Sequence, residues 1–164
     1  MKAATAFERA RAERRGVLVG YLPAGGASVP ALTAMVQAGV DVVEVGWPYS
    51  DPVLDGPVIQ QAVEAALAAG TTPADVLHTV EAVARTGVPV LVMTYWNPVE
   101  RYGVERFARD LAAAGGAGLI TPDLTPDADP HWPAAADAHD LDTKGRSSAE
   151  LELGGPSTGA GAEQ

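Results

Sequence analysis

Cysteine is absent from the 164 residues, which excludes disulfides, thiolate nucleophiles and cysteine-ligated zinc. Aromatic residues are scarce, at 5%. The core must therefore be built from Ala, Val and Leu, a composition that suits helices packed on a buried parallel sheet. Positive charge is also in short supply. The 11 Lys and Arg face 21 Asp and Glu, for a net charge of −10. That balance repels a phosphate backbone or an anionic membrane surface, so neither nucleic acid nor membrane is an expected partner. A small phosphorylated ligand stays compatible with it, because a few backbone N–H groups suffice to hold one. No apolar run reaches the ~20 residues of a membrane span. The charged segment Glu8-Arg9-Ala10-Arg11-Ala12-Glu13-Arg14-Arg15 leads into no signal-peptide core, and the expected location is the cytoplasm.

The apolar share is 47%, which indicates a globular domain. Residues 5–15 read as a helix, with Thr5 and Glu8 spaced as a capping box and Gly16 as its stop. Residues 17–22 read as a buried strand. A helix follows, capped by Ser28 with Pro30 in its first turn and ended by Gly39. The pattern then repeats: a strand over 40–45, a long loop over 46–57, helices over 58–69 and 72–86, and a strand over 89–94. The reading continues with a loop over 95–102, a helix over 103–114, a strand over 117–120 and a helix over 130–139. Strands alternating with helices imply βαβ units and a parallel sheet, either doubly wound or closing into a barrel. No Gly-x-Gly-x-x-Gly opens the helix after the first strand, which weighs against a dinucleotide fold.

Chemistry-bearing residues concentrate between Asp41 and Pro57. Glu44 stands in a run of valines near the end of its strand, where parallel α/β folds place their active sites. Burial would raise its pKa and fit it for proton transfer. The alternative is a buried Arg or Lys partner. Asp51 and Asp55 follow on a loop able to fold over the same pocket, or else they form turns before proline and glycine. Trp47 and Trp96 lie just past strand ends and either wall an aromatic pocket or pack in the core. His78, His131 and His139 have no metal-ligand spacing and read as structural residues.

The string Glu44-x-Gly46-x-Pro48-Tyr49-Ser50-Asp51-Pro52-x-x-Asp55-Gly56-Pro57-x-Ile59-Gln60 resembles the signature of tryptophan synthase alpha chains. Pro23-Ala24-Gly25, Met93-Thr94-Tyr95-Trp96-Asn97-Pro98 with Tyr102-Gly103, and Leu119-Ile120-Thr121-Pro122-Asp123-Leu124 look like that family's loops after the first, third and fourth strands. The resemblance implies an α/β fold of the TIM-barrel (β/α)₈ kind. The implied activity is retro-aldol cleavage of indole-3-glycerol phosphate to indole and glyceraldehyde 3-phosphate, without a metal or organic cofactor. It casts Glu44 as the proton donor and acceptor, and Asp55 as the partner of the indole N–H. Tyr95 is implied to line the indole cavity, although a core tyrosine with its hydroxyl at the rim reads equally well. Asp51, Pro52 and Asn97 match places where the family meets its beta chain.

The resemblance covers roughly residues 5–142, about four βα units of the ~250 residues that a (β/α)₈ barrel takes. Residues 1–142 are expected to form a partial barrel, and the Gly- and Ser-rich 143–164 a disordered low-complexity tail. The family's glycine-rich phosphate loops have no counterpart in that tail. Truncation or a reading-frame change is the expected origin, with impaired catalysis as the consequence. Four strands cannot close, so weak folding or self-association into a pseudo-barrel is expected. The competing functions are a non-catalytic fragment that binds or modulates a beta chain, and a different phosphate-handling barrel.

Overall fold

The computed structural model describes residues 1–51, 54–124 and 131–142. Pro52 and the whole tail 143–164 lie outside the described residues. Four parallel strands form one sheet in the order β1-β2-β3-β4: β1 (Val19–Pro23), β2 (Val42–Gly46), β3 (Val90–Met93) and β4 (Gly118–Ile120). Among the described residues seven helices accompany them: α1 (Ala3–Ala12), α2 (Ser28–Gln37), α3 (Pro57–Ala68), α4 (Pro73–Ala84), α5 (Trp96–Tyr102), α6 (Val104–Ala113) and α7 (His131–Ala138). The strand order never reverses, so no switch point exists between strands, and the winding is that of a barrel rather than of a doubly wound sheet.

The two faces of the sheet differ in the same sense. Val43, Val45, Val90, Val92 and Leu119 are buried on one face. They form a single core with Leu32 of α2, Val76, Val80 and Val83 of α4, Phe107 and Leu111 of α6, and Trp132 of α7. On the other face, Tyr21, Glu44, Leu91, Met93 and Ile120 are only half-buried and lie outside that core. Helices therefore pack one face, and the residues facing the barrel interior remain partly open.

Glycine punctuates the helices as their sequence requires. Gly39, Gly70, Gly87 and Gly115 take the left-handed conformation just after α2, α3, α4 and α6. Thr72 and Asp75 form a capping box at α4.

Four local expectations are corrected. Thr5 does not cap α1, which begins at Ala3, and the Ala3 N–H donates instead to the Asp142 carboxylate at 2.7 Å. The same helix ends before Gly16, with Arg14 in the left-handed region. Ser28 is not a cap but the first residue of α2, its Oγ accepting from the Gly25 N–H at 3.2 Å. The expected loop 95–102 is largely helix α5, because both Asp123 carboxylate oxygens accept the Trp96 N–H at 3.0 Å. Pro98 is harmless there, since N–H groups of a first turn have no partner within the helix.

Asp142 also forms an isolated bridge beside the sheet. It pairs with Gly118 in parallel on the outer side of β4, and its N–H donates to the Ala117 carbonyl at 2.7 Å. At the same end of the sheet, Arg15 grips the buried Asp41 just before β2 through two bonds of 2.6 and 2.7 Å. The N-terminal segment, through Ala3 of α1 and Arg15 beyond it, thus ties the starts of two strand positions together.

Candidate active site

The site grows out of the register of β1 and β2. Tyr21 pairs with Glu44, and Glu44 with Leu91, so the three side chains share a row on the inward face. Glu44 is the one half-buried position in β2, with buried residues on either side of it in the strand. Burial pushes its carboxyl above the ordinary carboxylate range. No Lys or Arg among the described residues forms an ion pair with it. The alternative of a buried cationic partner is therefore not realised there.

One row further along, Gly46 leaves room for the Tyr21 ring. A Cβ on Gly46 would sit 2.3 Å from the Tyr21 hydroxyl and 2.8 Å from its Cζ. Tyr21 consequently lies across the C-terminal end of β2. Its phenol is pushed up to about 12, first by burial and then by the negative charges of Asp55 and Glu44 and by Tyr95. The Tyr21 hydroxyl therefore remains a neutral hydrogen-bonding group at physiological pH. Sequence reasoning missed Tyr21, which passed as one residue of an apolar strand. The signal that would have found it is its pairing row with Glu44 and a glycine two positions past that glutamate.

Asp55 is half-buried at the end of the loop that leads into α3, immediately before the α3 N-cap Gly56. Its backbone carbonyl accepts from Gln60 Nε2 at 2.8 Å. The preceding Leu54 N–H donates to the Tyr95 hydroxyl at 2.8 Å. Tyr95 is only 5% exposed, and its ring lies against that of Tyr49, with centroids 5.6 Å apart.

The outer side of the same loop has a different character. Tyr49, Ser50, Asn97, Pro98, Arg101 and Tyr102 are among the residues lining a cleft of about 460 Å³. Asp51 is exposed beside it and accepts from the Ser50 hydroxyl at 2.7 Å. Leu54 and Val58 are 66% and 77% exposed, an unusual state for apolar side chains flanking one loop. Trp47 turns away from Glu44. It packs on Phe107 and Tyr102 in the helix layer, with centroids 5.4 and 6.0 Å apart. Trp96 is partly buried against the same core. His78 and His131 are exposed, and His139 Nε2 lies 3.1 Å from Glu105. Among the described residues no group of His, Asp and Glu is placed to hold a metal ion, and no helix is long and apolar enough to cross a membrane.

The model of the family described as "Tryptophan synthase alpha chain" matches residues 7–144. The alpha chain of Salinispora arenicola is 67% identical over 141 residues, covering 84% of this chain and 53% of that protein. That of Thermobifida fusca is 61% identical over 137 residues, covering 81% and 51%. Among solved structures, tryptophan synthase of Mycobacterium tuberculosis superposes with a TM-score of 0.83 at 56% identity, over 85% of this chain and 56% of that one. The alpha subunit of Legionella pneumophila gives 0.81 at 36% identity, over 86% and 56%. The chain spans about half the length of the curated relatives it matches. With the sequential parallel sheet and the placement of Glu44 and Asp55, these matches show that the chain belongs to the tryptophan synthase alpha chain family, whose fold is the TIM barrel.

Proposed function

We propose that the residues of this half barrel perform retro-aldol cleavage of indole-3-glycerol phosphate, giving indole and glyceraldehyde 3-phosphate. The observation that carries the reading is Glu44, half-buried without an ion-pair partner among the described residues on the inward face, with Asp55 half-buried on the loop that leads from that strand into α3. The bond to be broken joins indole C3 to the glycerol chain. As a carbanion, C3 would be a poor leaving group, whereas protonated C3 is an indolenine that accepts the bonding electrons. A carboxyl whose proton affinity is raised by burial is better suited to give that proton than an ordinary one. The resulting carboxylate then takes the proton of the adjacent glycerol hydroxyl as the aldehyde forms, which restores the acid. Positive charge develops meanwhile on the ring nitrogen, and the Asp55 carboxylate, hydrogen-bonded to its N–H, stabilises it. Each role is worth about a hundredfold in rate. The cycle couples two proton transfers to the cleavage of that bond and draws on no organic cofactor. Tyr95 forms the wall beside the indole.

The outer side of the loop supports a docking role. Asp51, Pro52 and Asn97 meet a tryptophan synthase beta chain, with exposed Leu54 and Val58 supplying the apolar contact. Docking alone would make the chain a binding fragment. Following indole and glyceraldehyde 3-phosphate release, with and without an added beta chain, separates the two readings. Both products in equal amounts support catalysis. Saturable beta-chain binding without products supports the fragment, and neither result would refute both.

A further inference from the structure

Asp55 sits on a loop in which Ser50, Asp51 and Leu54 are exposed. Two side chains from other places secure it. The Tyr95 hydroxyl takes the Leu54 N–H at 2.8 Å, on the N-terminal flank of Asp55. Gln60, from the first turns of α3, donates to the Asp55 carbonyl at 2.8 Å on the C-terminal flank. Tyr95 is well rooted for this task. It is buried, it is the N-cap of α5 at the end of β3, and β3 is bonded to β2, the strand that carries Glu44. Its ring also braces Tyr49 at the start of the loop. The path from Asp55 through Tyr95 and β3 back to Glu44 is therefore a short chain of bonded elements.

We propose that Tyr95 and Gln60 are positioning residues that clamp the two peptide flanks of Asp55 and so fix its carboxylate relative to Glu44. The inference rests on the assignment of Asp55 above and gives Tyr95 a task beyond lining a cavity. A misplacement of about 1 Å is enough to cost ~100-fold in rate, so the clamp acts on turnover rather than on substrate affinity.

The test uses the full chain and two variants, Tyr95→Phe, which keeps the ring against Tyr49, and Gln60→Met, which keeps the length. Hydrogen exchange at the Leu54 amide, read by NMR, is expected to quicken about tenfold in Tyr95→Phe, the size of one ordinary hydrogen bond. Indole release is expected to fall about tenfold or more in kcat for each variant, with KM within about twofold. Each loss should vanish when the variant is added to Asp55→Asn, because a residue acting through Asp55 has nothing left to position. Unchanged Leu54 exchange in Tyr95→Phe overturns the clamp. So does a loss of equal size in the Asp55→Asn background, which would mark a merely structural role. The exchange data decide the clamp whether or not the chain turns over, whereas absence of indole release counts against the reaction itself.

Discussion

Replacing Asp41 with Asn should destabilise the chain at neutral pH and leave it unaffected in strong acid. The Asp41 side chain is only 5% exposed. It accepts two bonds from Arg15 at 2.6 and 2.7 Å and one from the Leu18 N–H at 3.0 Å, with Arg9 3.5 Å away. The Arg15 bonds come first, then the Leu18 amide, in holding the carboxyl down at about 2 from an ordinary 3.8. A lowered folded-state pKa means that the stabilisation is complete above pH 3.8 and is lost as pH falls towards 2. The shift corresponds to about 2 kcal/mol. Arg15 is 39% exposed, and the solvent around it brings the expected value to about 1–2 kcal/mol. Asn can still accept the Leu18 N–H and one Arg15 bond through its amide oxygen, so the variant removes the charge and the second Arg15 bond. Urea titrations at pH 7, 4 and 2 are the assay. The two chains should differ by about 1–2 kcal/mol at pH 7 and converge by pH 2. A difference that is the same at every pH would refute the charge argument and point to packing.

Three further outcomes follow from the geometry. Gly46→Ala drives a Cβ into the Tyr21 ring, so thermal melting should show a loss of about 1–3 kcal/mol, with indole release falling as the ring is displaced. Glu44→Gln should raise the melting temperature at pH 8 and change it little at pH 4. Burial lifts the Glu44 carboxyl, so its favourable contribution is present below the unfolded pKa and is lost as pH rises through the folded value. Asp123→Ala removes the acceptor that starts α5, and chemical denaturation should register about 1 kcal/mol.

The alternation of strand and helix was legible because valine runs are cut by glycines at helix ends, and Gly39, Gly70, Gly87 and Gly115 all take the backbone conformation that glycine favours. The errors share a cause. Helix α1 starts at Ala3 because Asp142 supplies an acceptor from 139 residues away, so the local Thr5–Glu8 spacing misled. Helix α5 was hidden because its acceptor, Asp123, lies 27 residues on. Periodicity reports what a residue's sequence neighbours offer, and both acceptors arrive through space. At the site, Glu44 and Asp55 were legible as odd residues in apolar or turn-rich surroundings. Tyr21 was not, since a tyrosine in a strand is ordinary until its row partner is known. Trp47 was ambiguous because a residue just past a strand end can turn to either face, and here the Phe107 and Tyr102 rings draw it outward.

The most direct measurement compares indole release from indole-3-glycerol phosphate by the unaltered chain and by Glu44→Gln, with both shown to be folded by circular dichroism. The unaltered chain should release indole, and the variant should lose about a hundredfold or more. Equal release by the two chains, or none from the folded unaltered chain, would contradict the assignment of Glu44 as the proton donor of this half barrel.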